Sequence, residues 1–404
     1  MTENGTSRSL WQALWPVTAA DFIIRSAYQM GKTPLLPIFA ASLGATGAML
    51  GFITSVSTLT GMISKPLFGA LSDRGGRRRW LLLATALLVL TPFLYAWLNR
   101  PEQLVLLRLF HGLGTAIYGP VTLAHVGERM KARRAESFGW FGYARSGGYI
   151  VGPLLGGWLL FTLDAATVYR IVGVLSAAAF VPLFHLRDER DETETSPRPS
   201  SGQTQLTSFR QALRLRWVAQ RVWLAGAWEA LSYLALYALR AFLPIFALAA
   251  GATAFDVGTY FAAQEATHIL ARPHGGRLGD RWGYYPCIAL GLTLLALALL
   301  LLSVLQHGAI WFSTALALGL AQALIFPATL ALVAGRLPAT QLGAGMGFLG
   351  ALRNGGKVLG PLLGGFLIQW LGFQSSLQCF ALLIMACAVV SFWRSFRFRP
   401  VSLN

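Results

Sequence analysis

Only three of the sixteen acidic residues in this 404-residue sequence, Asp21, Glu229 and Glu265, lie inside long apolar runs. A carboxylate at such a position is costly unless it is paired or faces water, so each marks a candidate functional group. At helical spacing each acid shares a stripe with other polar side chains. Asp21 lines up with Arg25, Tyr28, Gln29 and Lys32, Glu229 with Tyr233, Tyr237 and Arg240, and Glu265 with His268 and Arg272. The chemistry open to these groups is proton exchange. A nearby cation favours the ionised carboxylate and desolvation favours the neutral acid, so a change of surroundings moves a proton. Asp21 is favoured as the carrier because Arg25, at i+4, can pair with it along one helix. Glu229 and Glu265 compete for the role.

Cations at the same depth outnumber the acids: Arg25, Lys32, Arg108, Arg145, Arg240, Arg353 and Lys357. That balance points to a neutral, zwitterionic or anionic amphipathic substrate. Tyr118, Trp228, Tyr233, Tyr237 and Phe326 are available as apolar walls. Enzyme chemistry is not indicated, because no Ser/His/Asp set, metal spacing or phosphate loop occurs. His111 and His268 lack a ligand partner, and Cys287, Cys379 and Cys387 have neither disulfide nor metal spacing. No cofactor is expected beyond the proton as coupling ion.

The elements that must position these residues are membrane helices. Charged residues make up 12% and apolar residues 55% of the chain. Runs long enough to cross ~30 Å of hydrocarbon recur throughout. Twelve spans are predicted, near 14–40, 48–71, 80–98, 104–126, 138–161, 168–186, 223–249, 257–277, 285–305, 310–334, 342–370 and 377–393. The net charge of +17 does not indicate nucleic-acid binding, because the cations alternate between successive loops. Loops after even-numbered spans are basic (Arg74, Arg77, Arg78 and Arg79; Arg129, Lys131, Arg133 and Arg134; Arg277, Arg281 and Arg336), and loops after odd-numbered spans are not. The positive-inside rule then places both termini in the cytoplasm of a cell with this protein in its inner or plasma membrane. The segment 187–216, rich in charge, Ser, Thr and Pro, reads as a cytoplasmic linker between domains 1–186 and 217–404.

The two domains are copies. RSGGYIVGPLLGG at 145–157 returns as RNGGKVLGPLLGG at 353–365, and LPIFAASLGAT at 36–46 returns as LPIFALAAGAT at 243–253. Gly148, Gly152 and Gly156 form a bare stripe, repeated by Gly356, Gly360 and Gly364, with Pro153 and Pro361 inside. Small residues allow helices to approach closely in lipid, and these stripes are expected to act as sliding seams. GALSDRGG at 69–76 returns as GRLGDRWG at 276–283. Two parallel six-helix halves with a midplane site between them are a transporter architecture.

With these motifs the chain resembles the major facilitator superfamily over nearly its whole length. The pattern G-x-L-x-D-R-x-G-R-R is complete in Gly69, Leu71, Asp73, Arg74, Gly76, Arg77 and Arg78. Its second copy keeps Gly276, Asp280, Arg281 and Gly283 but has Tyr284 and Tyr285 in place of the basic pair. In the family this loop is implied to act as a cytoplasmic gate. Leu104, Arg108, His111, Gly112 and Gly114 resemble the fourth-span motif, whose Arg is tied to proton coupling, with His111 where Gln is usual. The Gly148–Gly157 stretch is similar to the fifth-span motif of proton antiporters and so implies export. The expectation is an all-α protein of two pseudo-symmetric six-helix bundles. It would act as a monomeric proton-coupled exporter of small amphipathic compounds among membrane lipids, by alternating access. The alternatives are an organic-anion or organic-phosphate exchanger using Arg25 and Arg240 as twin clamps, or a lipid or lysolipid transporter or scramblase.

Overall fold

The computed structural model describes residues 3–129, 134–186, 219–304, 309–335, 337 and 339–397. Within the helices, the side chains of 3–13, 73–75, 128–129, 134–135, 219–221, 309–310, 339–340, 344 and 397 lie outside that description. The linker 187–216, Lys131, Arg133 and Arg336 also lie outside it. Every regular element among the described residues is α-helical. In order they are α1 (Glu3–Lys32), α2 (Leu35–Ser42), α3 (Gly47–Gly75), α4 (Arg77–Tyr95), α5 (Pro101–Arg129), α6 (Arg134–Thr162), α7 (Ala165–Ala177) and α8 (Phe180–Phe184). There follow α9 (Ala219–Ala249), α10 (Ala254–Trp282), α11 (Tyr284–Val304), α12 (Ala309–Ala334) and α13 (Ala339–Arg397). Two arms of α13 meet at Gly372, where φ is 78°. With α1–α2 and α7–α8 counted as interrupted runs and α13 as two arms, the described helices make twelve passes, as the hydropathy predicts.

Eight helical stretches among the described residues are long and apolar enough to cross a membrane by composition alone. The helices α1, α6 and α10, which carry the Asp21 stripe, the first glycine stripe and the Glu265 stripe, fall outside that set. The break between α1 and α2 has a local cause. The first copy has Pro34 where the second has Ala241, and a proline removes a backbone donor and clashes with the preceding turn. The unbroken α9 runs through the equivalent LPIF sequence to Ala249. At the start of α7 the Asp164 carboxylate caps the helix, accepting the Thr167 N–H at 2.9 Å and its hydroxyl at 2.7 Å. Those bonds hold the Asp164 carboxyl below its ordinary range.

The chain divides into two compact units, one of residues 1–44 with 56–204 and one of 45–55 with 205–404. In the first, α6 lies against α1. In the second, the first arm of α13 lies against α9. The glycine stripes are the seats for these contacts. A Cβ on Gly152 would fall 2.5 Å from Gln29 Cβ and 2.7 Å from the Ser26 carbonyl oxygen. A Cβ on Gly360 would fall 2.3 Å from the Leu234 carbonyl oxygen. Ser26 and Leu234 are equivalent positions of the repeat, so the seam is built twice from one pattern. Each stripe is thus buried in a backbone-to-backbone seam inside its own unit, and sealing that seam is what leaving out the Cβ achieves.

Candidate functional site

The seams place the charges. In the first unit Arg145, at the head of the glycine stripe on α6, donates from Nε to Asp21 Oδ2 at 3.0 Å and from Nη2 to Asp21 Oδ1 at 2.8 Å. This is a two-pronged guanidinium–carboxylate pair, the strong geometry for such a contact. Arg145 Nη2 also donates to the Thr122 hydroxyl at 3.0 Å, and Asp21 is 1% exposed. Arg25 stands 3.6 Å from Asp21 Oδ1. The expected Asp21–Arg25 pair therefore exists, but as the longer, secondary contact. The principal partner is Arg145, across the seam.

The second unit repeats the clamp with one difference. Arg353 donates from Nε to Glu229 Oε1 at 2.7 Å, and its Nη2 lies 2.7 Å from the same oxygen. Glu229 is fully buried at 0% exposure, and its Oε2 has no hydrogen-bond partner among the described residues. Asp21 and Glu229 are repeat equivalents, as are Arg145 and Arg353, and each pair is separated by 124 residues. The recurrence of both members at one offset was a signal for this pairing, but stripe reasoning along single helices looks only within a helix.

Around the second clamp an aromatic and cationic group assembles. The Tyr233 and Phe326 rings stack at 4.5 Å and 1°. His268 meets Phe326 edge-on at 5.7 Å, and Tyr237 lies 6.0 Å from Tyr233. The Lys357 ammonium stands 4.5 Å from the Tyr233 centroid and 5.5 Å from that of Tyr237. Arg240 pairs with Glu265, whose other oxygen lies 3.6 Å from His268 Nδ1. Arg240 is thus held by a carboxylate rather than being an open anion clamp. Arg272, expected on the same stripe, is exposed and outside this group. Trp228 is 1% exposed and packs in the core edge-on to Tyr285 at 5.9 Å, so it is a core residue rather than a wall.

In the first unit Arg108 is 1% exposed and donates to the Ser57 hydroxyl. No carboxylate pairs with it among the described residues. Tyr28 lies edge-on to the buried His111 at 5.1 Å, with the Lys32 ammonium 5.6 Å from the Tyr28 centroid. Tyr118 and Gln29 are buried, the former in the hydrophobic core.

Paired buried charges repeated across two helical units are what a membrane transporter needs, and comparison with known proteins agrees. The family model for the Major Facilitator Superfamily matches residues 22–231 and 228–403. The chain belongs to the Major Facilitator Superfamily. Among its relatives is multidrug resistance protein MdtG of Dickeya zeae, 26% identical, with 90% of each chain covered. Another is the multi-drug resistance efflux pump PmrA homolog of Lactococcus lactis, 23% identical, with 92% of each covered. The fold matches the crystal structure of nucleoside transporter NupG with a TM-score of 0.81 at 14% identity, covering 96% of this chain and 100% of that one. The protein is a multi-pass membrane transporter, not an enzyme.

As a member of the superfamily it carries the loop motif twice, and the backbone explains the motif's last glycine. Gly76 and Gly283 have φ of 84° and 94°, values that side-chain-bearing residues rarely adopt. Arg77 donates to the Ser72 hydroxyl at 2.7 Å and Arg78 to the Phe184 carbonyl at 3.2 Å. The side chains of Asp73 and Arg74 lie outside the described residues. In the second copy the Tyr284 hydroxyl donates to Asp280 at 3.1 Å. Arg281 is exposed.

Proposed function

We propose that the chain is a proton-coupled antiporter that exports small amphipathic compounds across the inner or plasma membrane by alternating access, with both termini cytoplasmic. The efflux names of its relatives support the direction of transport. The observation that carries the coupling is the bare, buried Oε2 of Glu229 beside an oxygen already held by Arg353. A proton can add at Oε2 without first displacing the guanidinium. Once neutral, Glu229 holds Arg353 less strongly, which gives the protonated and ionised states different contacts. Asp21, favoured from its helix stripe alone, has both oxygens engaged by Arg145, so a proton there must compete with a formed bond. Glu229 is therefore the proposed carrier, with Asp21–Arg145 as its structural counterpart. Glu265 remains a candidate proton carrier, and Arg108 keeps the coupling role that the family resemblance implies. The exchanger alternative needs Arg25 and Arg240 as open clamps, yet carboxylates stand beside both.

The test is uptake into proteoliposomes under an imposed pH gradient, using fluorescent efflux substrates. Glu229→Gln is expected to abolish concentration against a gradient while substrate binding persists and loses pH dependence. Asp21→Asn is expected to act mainly on stability. If Glu229→Gln still drives substrate uphill, the assignment is wrong. Movement of lipid or solute without any gradient would point instead to scrambling.

A further inference from the structure

Arg108 on α5 is 1% exposed, and its hydrogen-bond partners among the described residues are the hydroxyls of Ser57 and Tyr95. Its Nε has no partner there, and neither has Nδ1 of the buried His111, one turn further along the same face. Of the acids in this unit only Asp21 lies at membrane depth, and Arg145 holds both of its oxygens. A hydroxyl satisfies a donor but does not neutralise a buried charge.

The repeat shows that packing does not require this arginine. Gly112 on α5 seats against α3, where its Cβ would fall 2.7 Å from Thr60 Cβ and 2.9 Å from the Ser57 carbonyl oxygen. The second unit builds the same seam from Gly319 on α12 against α10. A Cβ there would fall 2.5 Å from the Gln264 carbonyl oxygen and 2.7 Å from Thr267 Cβ. In that register Arg108 corresponds to Ala315, itself 0% exposed. One copy closes this seam with a methyl group, the other with a guanidinium that no acid holds. A buried charge without a packing role or a counter-ion in its unit points to an anion supplied from outside the chain. The surroundings show where it would enter. Tyr95 and Tyr169 are buried and stacked at 4.0 Å, whereas Tyr28, edge-on to His111 at 5.1 Å, is only half-buried.

We infer that Arg108 receives an anionic group of the exported compound, with His111 as a second donor and Tyr28 as the side chain that yields to it. This rests on the export reading, names an anionic substrate class for it, and gives Arg108 a substrate contact in addition to coupling.

Three probes of one shape and different charge test it: benzoate, benzamide and benzylammonium, titrated calorimetrically into the purified full chain at one neutral pH. Benzoate is expected to bind tightest. Arg108→Met should weaken benzoate by roughly ten- to a hundredfold, the size of one charge-assisted contact, and leave benzamide unchanged. Without ligand, Arg108→Met should melt above the wild type, because it removes an unneutralised buried charge; a purely structural arginine predicts a lower melting temperature. The inference falls if benzylammonium binds best, if no probe binds, if Arg108→Met weakens benzoate and benzamide equally or neither, or if that variant melts lower. It falls too if chloride binds through Arg108 as tightly as benzoate, since the site would then serve a small inorganic ion. The wild-type charge series needs no variant, so a misfolded Arg108→Met cannot shelter the idea. Proteoliposomes separate this inference from export. Arg108-dependent benzoate binding without pH-driven movement would sink export and keep the anion site. Export of benzylammonium but not benzoate would do the reverse.

Discussion

Arg145 closes a two-pronged ion pair on Asp21 across the α1–α6 seam, and Arg353 holds Glu229 through one oxygen at the same sequence separation of 124 residues. In each unit the clamp sits where a glycine stripe lets two helices touch. Small residues bring the backbones together, and the charge pair fixes their register along the seam.

Breaking the first clamp from one side should be severe. Arg145→Met leaves the 1% exposed Asp21 with only the longer Arg25 contact, and loss of one partner of a buried pair costs about 3–5 kcal/mol. Adding Asp21→Asn should recover much of that loss. Thermal unfolding in detergent measures both, and additive losses in the double variant would refute the coupling. Arg353 is 32% exposed on its side chain, so Glu229→Gln should destabilise far less.

The glycine seats make a sharper steric claim. Gly152→Ala and Gly360→Ala each place a Cβ well inside contact with backbone of the facing helix. Overpacking of this kind costs roughly 1–3 kcal/mol. Gly142→Ala, with open space around its Cβ position, serves as the control. Equal melting temperatures for all three variants would contradict the seam.

If the Asp73 loop is a gate, Asp73→Asn should lower turnover several-fold with substrate affinity and expression near normal. Gly76→Ala should loosen the same turn, because a side chain at φ 84° is strained by about 1–3 kcal/mol. Initial transport rates in proteoliposomes decide this. Unimpaired transport by Asp73→Asn would reduce the loop to a topology signal.

Sidedness follows from the loop cations. Single cysteines at Ser42 and Arg281, both exposed, in a background without Cys287, Cys379 and Cys387, should label from opposite sides of the membrane. Labelling from one side would overturn the alternation of basic loops.

The helix count, the duplication and the family were legible in the sequence, because burial in lipid leaves long apolar runs and a copied motif needs no folding to be seen. Asp21, Glu229 and Glu265 were legible as exceptional for the same reason. Their partners were not. A helix stripe joins residues three or four apart, so it found Arg25 beside Asp21 and put Arg240 on the Glu229 stripe. Arg145 and Arg353 lie 124 residues from the acids they hold, and only the packing of α6 on α1 and of α13 on α9 brings them within 3 Å. The glycine spacing was legible, but not that the facing carbonyls of Ser26 and Leu234 lie against Gly152 and Gly360 within each unit. Composition, span order and repeat are properties of the chain as a string. Which oxygen of Glu229 stays bare, and which ring holds Lys357, depends on distances of a few ångströms between helices, and these tertiary structure alone decided.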